Sequence, residues 1–183
     1  DLYDGTRLAR KGDVVVVSMN HRLNAFGFLY LGAYDPSLAA SGNVGMLDLA
    51  LALEWVRDNI AEFGGDAGNV TIFGQSGGGA KCTTLMAMPA ARGLFHRVWT
   101  MSGQQATGTP RDMATRNAEG VFRAAGLKVG DVQGLRALTM DQLIAASRGS
   151  RYYGPVVDEV VLPRDPFEPD ATPGLLGMAS MEL

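Results

Sequence analysis

The segment Val70–Gly79, which reads Val-Thr-Ile-Phe-Gly-Gln-Ser-Gly-Gly-Gly, decides the fold of this chain. It begins as a β-branched strand, continues as Gly-x-Ser-x-Gly and leads into a helix. A sharp strand-to-helix turn crowds its own backbone, so we expect the flanking Gly74 and Gly78 to need side chains no larger than hydrogen. Such a turn holds the hydroxyl of Ser76 in the open, facing the free N–H groups of the following helix.

The pentapeptide by itself is weak evidence. The chain has 24 glycines among its 183 residues, so about 0.1 matches to Gly-x-Ser-x-Gly are expected by chance. The competing interpretation is a glycine-rich loop that opens a helix and carries no chemistry. The surrounding sequence has to decide between the two.

Composition and charge exclude several classes of function. Hydrophobic residues make up 46% of the chain, which is enough for a core, and the net charge is −3. Because there is no Lys- or Arg-rich run, nucleic acid is not an expected partner. No apolar run reaches the ~18 residues of a membrane span. With one cysteine and two histidines in the sequence, we expect no internal disulfide and no metal site. We also expect no cofactor.

The elements around Ser76 alternate between strand and helix. Val14–Val17 is a β-branched run typical of a strand buried on both faces. A helix with one apolar face follows, and we expect Asn43 to cap it and Gly64-Gly65 to end it. That face is formed by Met46, Leu49, Leu53, Val56, Ile60 and Phe63.

The next elements are a strand at Val70–Phe73, a helix at Gly77–Met88 and a strand at Arg97–Met101. The order strand, helix, strand, helix, strand predicts an α/β fold with a doubly wound, mostly parallel sheet. Ser76 then falls at the carboxyl end of a strand, where such sheets bind their ligands.

The second half of the chain is more helical. A helical pattern runs from Arg111 to Ala125 and ends at Gly126, and Thr139 begins a capping box for a short helix to Ser147. Residues 155–163 read as a short extended pair between prolines. We expect one domain with its core in residues 1–105 and a helical, cap-like region with a connecting segment in residues 106–183.

A serine nucleophile needs a base within hydrogen-bond reach and a carboxylate that orients the base. In α/β-hydrolases the order along the chain is Ser, then Asp or Glu, then His. His21 precedes Ser76, and no Asp or Glu lies between Ser76 and His96. We therefore expect neither histidine to be the base. His21 is expected to hydrogen-bond locally, and His96 to pack in a loop.

The sequence contains one of the two donors that an oxyanion hole usually has. The backbone N–H of Gly77, the residue after the serine, is one donor. The second donor usually comes from a glycine-rich loop on an earlier strand, and no such loop occurs before Asp13.

Several motifs, in order along the chain, resemble the type-B carboxylesterase/lipase family, which includes the cholinesterases. Their agreement in order is far more specific than the pentapeptide. His21 stands where this family commonly has tyrosine. The motifs are Gly12–Val17, Asn20–Leu23, Gly42–Asp48, Trp55–Ile60, Phe63–Asp66, Asn69–Thr71, Gly74–Gly78, Leu94–Arg97, Ser102-Gly103 and Pro155–Asp158.

The resemblance implies the α/β-hydrolase fold and hydrolysis of small-molecule esters through an acyl-enzyme. Ser76 would be the nucleophile, Gly77 the oxyanion donor, and Gly74, Gln75 and Gly78 the rest of the nucleophile elbow. The family's oxyanion loop would lie before residue 1, and its catalytic acid and histidine beyond residue 183. We therefore expect the central piece of a longer enzyme, inactive on its own.

Two positions depart from the family pattern. Gln75 replaces the usual Glu, which keeps hydrogen-bonding reach and drops the charge. Gly77 replaces the common Ala, and the run Gly77–Gly79 can permit close approach of another backbone. Neither change removes the chemistry.

The alternative function is a non-catalytic binding or adhesion protein on the same fold, although such relatives typically lose the nucleophile.

Overall fold

The structure, a computed structural model, describes residues 4–149 and 152–167. Two strands, β1 (Thr71–Gln75) and β2 (Arg97–Met101), form a parallel sheet with Thr71 opposite Arg97 and Gln75 opposite Met101. The helices in these residues are α1 (Thr6–Gly12), α2 (Asn24–Phe28), α3 (Val44–Asn59), α4 (Gly77–Ala87), α5 (Arg111–Ala124), α6 (Val132–Arg136) and α7 (Met140–Ser147). The predicted order β1, α4, β2 is confirmed.

The valine run at Val14–Val17 is not a strand, so that prediction is wrong. Val14, Val15 and Val17 are exposed, whereas the side chain of Val16 packs against Gly5 at the start of α1. A β-branched run becomes a buried strand only where a neighbouring strand supplies its hydrogen bonds. The sheet in the described residues consists of β1 and β2 alone, so the valine run pairs with neither of them.

Helix α3 buries the apolar face predicted for it, with one exception. Met46, Leu49, Leu53, Val56 and Ile60 are buried in the core. Phe63 is 61% exposed and lies against the ring of Trp55. It belongs to the 3₁₀ turn Ile60–Phe63 that follows α3, and a three-residue period rotates it off the face that a 3.6-residue period predicts. Gly64 ends this turn with φ of 79°, as predicted.

Two clusters of buried side chains hold the fold together. The first joins α2, α3, α4 and the chain up to Phe95, so the helices around the sheet share one core. The second joins α5, α6 and α7 to Ala25 and Leu29. None of the helices in residues 4–149 and 152–167 combines the length and the apolar character that crossing a bilayer requires.

The predicted ends of the later helices are confirmed. Gly126 terminates α5 with φ of 70°, and Thr139 makes a capping box with Gln142 at the start of α7. Helix α6 was not predicted, because it is only five residues long and its signal is a single capping aspartate, Asp131. The predicted extended pair at residues 155–163 is limited to one bridge, between Val156 and Thr109.

Asn43 lies at the N-cap position of α3, but its side chain does not cap the helix, so that prediction is wrong in its detail. The fully buried amide donates to the Val156 carbonyl at 2.7 Å and to the Asp158 carboxylate at 2.8 Å, and accepts from Val156 N–H at 3.0 Å. Asp158 is itself buried and accepts three backbone N–H groups from residues 160–162. Asn43 therefore fastens residues 156–162 onto the start of α3.

Replacing Asn43 with alanine should lower the free energy of unfolding by about 3 kcal/mol, because it leaves buried backbone and carboxylate groups without partners. Urea unfolding of the purified protein measures this change. Asn59→Ala is the matched control, since Asn59 makes one exposed hydrogen bond to the Trp55 carbonyl. It should cost less than about 1 kcal/mol. Equal losses in the two variants would contradict the role assigned to Asn43.

Candidate active site

Ser76 occupies the turn between β1 and α4 and is exposed. Its backbone has φ of 51° and ψ of −115°, a strained conformation for a residue with a side chain. The turn is held from both sides: Ser76 N–H donates to the Met101 carbonyl of β2, and the Ser76 carbonyl accepts from Ala80 N–H, each at 3.0 Å. The strain is therefore maintained by the packed strand and helix on either side.

The glycines around Ser76 differ in how much space is available for a side chain at each position. A Cβ on Gly74 would lie 2.4 Å from the Gly78 carbonyl carbon, so hydrogen is required there, as predicted. A Cβ on Gly78 would meet no atom within 4 Å, so the prediction for Gly78 is wrong. The second tight position is Gly79, where a Cβ would lie 2.2 Å from the Ser102 carbonyl oxygen. The glycine run thus admits another backbone, as expected, and does so at its third residue.

Gly103 is a part of this turn that the sequence did not single out as essential. Its φ is 75°, and a Cβ there would lie 2.0 Å from the Ser76 carbonyl oxygen. The preceding Ser102 also has a left-handed φ, of 62°. The sequence signals were a Ser-Gly pair directly after a predicted strand and the family motif that this pair resembles. Its meaning depends on β2 lying next to β1.

Gly77 is the first residue of α4, and its N–H has no acceptor within the helix. It is exposed beside Ser76, which is the position that an oxyanion donor needs. Gln75 ends β1 opposite Met101 and is exposed. No side-chain hydrogen bond of Gln75 occurs among the described residues, so its amide stays available beside the turn.

A cavity of about 200 Å³ opens beside Ser76. One wall comes from the start of α4, at Gly77, Ala80 and Lys81. The facing wall comes from distant segments, and there Gln105 Nε2 donates to Tyr152 Oη at 2.6 Å. The remaining lining residues are Phe28, Gly103, Tyr153, Gly154 and Pro155. The nucleophile candidate thus borders a small cavity whose lining combines aromatic side chains with the polar groups of Ser76, Lys81 and Gln105.

Two neighbouring residues of α4 carry groups whose ionisation is changed by burial. Desolvation lowers the pKa of Lys81, whose Nζ donates to the Gly77 carbonyl at 3.3 Å. Burial raises the pKa of the Cys82 thiol to about 11. Cys82 therefore stays protonated at neutral pH, and a protonated thiol is a poor nucleophile. Cys82 therefore does not compete with Ser76 as a nucleophile.

Neither histidine is among the residues that line the cavity beside Ser76. His96 directly precedes β2, whereas Ser76 lies level with the far end of β2, about 16 Å away along the strand. Its Nδ1 accepts from Val70 N–H at 3.1 Å. His21 Nδ1 lies 2.8 Å from the Arg22 carbonyl, which confirms the local contact expected for it. Within residues 4–149 and 152–167, no cluster of three or more His, Cys, Asp or Glu side chains could hold a metal ion.

Comparison with known proteins agrees with this geometry. The sequence profile of the Carboxylesterase family matches residues 1–182. The chain belongs to the carboxylesterase family. The chain is 40% identical over 175 residues to the para-nitrobenzyl esterase of Bacillus subtilis (strain 168) and 44% identical over 151 residues to cholinesterase 1 of Branchiostoma lanceolatum.

The chain covers only part of these relatives. The aligned regions are 90% of the chain and 35% of the Bacillus esterase, and 81% of the chain and 40% of the Branchiostoma protein. The chain also superposes on the crystal structure of the Geobacillus stearothermophilus carboxylesterase EST55 at pH 6.2, with a TM-score of 0.89 at 40% identity. The match covers 97% of this chain and 38% of that one. The α/β-hydrolase fold is thereby established, and the chain spans roughly a third of the length of its relatives.

The contrast between Gly78 and Gly79 gives a direct test of the turn. Gly79→Ala should lower the free energy of unfolding by about 2 kcal/mol, because its methyl group meets the Ser102 carbonyl and the backbone has to shift. Gly78→Ala should be neutral or stabilising by up to about 1 kcal/mol, because it fills open space and removes a helical glycine. Thermal unfolding of both variants measures the difference. Equal effects would show that the two backbones do not cross at Gly79.

Proposed function

We propose that this chain carries the nucleophile of a serine hydrolase that cleaves small-molecule esters through an acyl-enzyme. The observation that carries the proposal is the strained, exposed Ser76 at the start of α4, beside the Gly77 N–H, which has no acceptor within the helix. Backbone strain persists only where packing enforces it, and it is concentrated at functional sites. The relatives named as esterases support ester bonds as the target.

The chemistry assigned to these residues is acyl transfer. Ser76 Oγ attacks the ester carbonyl carbon and gives its proton to a base, while the carbonyl oxygen becomes an oxyanion that accepts from Gly77 N–H. The carbon–oxygen bond to the alcohol then breaks, the alcohol takes the proton, and the acyl group remains on Ser76. Water releases the acid by the same two steps in the second half-reaction.

The base and the acid have to come from elsewhere in a longer protein. No histidine within the described residues hydrogen-bonds to Ser76 Oγ, and His96 is fixed at the opposite end of β2. We place the catalytic acid and histidine after residue 183 and the second oxyanion donor before residue 1. The partial coverage of the relatives supports that placement. We also propose that residues 1–105 form the core and residues 106–183 a helical, cap-like region with a connecting segment; residues 1–3, 150–151 and 168–183 lie outside the described residues.

The longer protein should hydrolyse short 4-nitrophenyl esters, and Ser76→Ala should reduce kcat/KM by at least about 1,000-fold, because it removes the nucleophile. Release of 4-nitrophenolate measures the rate. Ser18→Ala is the matched control, since Ser18 is exposed and lies outside the site. It should retain full activity.

Two outcomes would contradict the proposal. Turnover retained in the Ser76→Ala variant would remove Ser76 from the mechanism. A correctly folded longer protein that hydrolyses no ester would favour the non-catalytic alternative. Residues 1–183 produced alone should be inactive, and full activity from them would overturn the placement of the base outside this segment.

A further inference from the structure

Lys81 places a positive charge in the cavity that contains Ser76. It lies on α4, five residues after Ser76, and lines the same cavity as Ser76, Gly77 and Gln105. Its side chain is half-buried, and its Nζ is 3.7 Å from the position that a Cβ on Gly77 would occupy. The ammonium therefore lies beside the residue that supplies the oxyanion donor.

Nothing acidic balances this charge in the described part of the chain. The residues that line the cavity include no Asp or Glu, and the five ion pairs between described residues do not involve Lys81. Its one hydrogen bond among the described residues, to the Gly77 carbonyl, is long at 3.3 Å. An ammonium has three donors, so two of them have no acceptor within this part of the chain.

Burial without a partner is unfavourable for a lysine. Lysine is rarely buried without a partner, because desolvation penalises the charged form. The same effect lowers the pKa of Lys81. A carboxylate brought into the cavity by a substrate would relieve this cost and would match the single positive charge with a single negative one.

We propose that Lys81 is a specificity residue that binds a carboxylate on the substrate, so that the site prefers esters carrying a negative charge close to the reacting carbonyl. This inference rests on the proposed function, since it assigns a substrate class to the site of Ser76. Lys81 does not act as the base in this account. Its hydrogen bond goes to the Gly77 carbonyl, and no bond to Ser76 Oγ occurs among the described residues.

The test compares two esters with the same leaving group in the longer protein. One is the 4-nitrophenyl half-ester of adipic acid, which carries a free carboxylate, and the other is neutral 4-nitrophenyl hexanoate. Lys81→Met keeps the length of the side chain and removes the charge, Lys81→Arg keeps the charge, and Lys128→Met removes an exposed lysine outside the cavity. The ratio of the two kcat/KM values within each variant does not depend on how much of the protein is folded.

The wild-type protein should prefer the half-ester, and Lys81→Met should reduce that preference by about tenfold or more, mainly through KM, as expected for loss of a charge-assisted hydrogen bond. Lys81→Arg and Lys128→Met should keep the preference. An unchanged ratio in Lys81→Met, or an equal loss for both esters, overturns the inference and leaves the proposed function standing. Absence of hydrolysis of either ester by the folded wild-type protein overturns both.

Discussion

The rest of the structure depends on the crossing of two backbones beneath Ser76. The Ser76 N–H bonds to the Met101 carbonyl, Gly103 lies directly under the Ser76 carbonyl, and Gly79 meets the carbonyl of Ser102. Because β1 and β2 are parallel neighbours, their two carboxyl-terminal turns converge on the same space. Both turns fit only where one of the touching residues has hydrogen as its side chain. This contact keeps the backbone of Ser76 in its left-handed conformation.

The same crossing connects the fold to the chemistry. It turns the chain sharply enough for α4 to begin at Gly77, so that an N–H without an acceptor in the helix lies next to the serine residue. One further turn of α4 brings Lys81 into the same cavity. The proposed nucleophile, the proposed oxyanion donor and the positive charge therefore come from six consecutive residues. Distant segments, including Tyr152, complete the wall of the pocket and make its shape a property of the folded chain.

The sequence predicts the features that depend on residues close together in the chain. The order of β1, α4 and β2 and the capping box at Thr139 are set by local spacing. Features that depend on distant contacts were missed or misassigned. The sequence predicts that Asn43 caps a helix, because it does not show that Asp158 contacts this side chain. It likewise gives Gly103 as an ordinary turn residue, because it does not show that β2 lies beside β1. The run Val14–Val17, in which only Val16 is not exposed, shows that β-branched sequence predicts a strand only when a partner strand is available.

The central claim is that this turn presents Ser76 and the Gly77 N–H together to an ester carbonyl. A crystal structure of the longer protein after reaction with a fluorophosphonate ester tests it most directly, since the adduct imitates the tetrahedral intermediate. We expect phosphorus bonded to Ser76 Oγ, with the phosphoryl oxygen about 3 Å from the Gly77 nitrogen. An unmodified Ser76, or an adduct whose phosphoryl oxygen points away from Gly77, would contradict it.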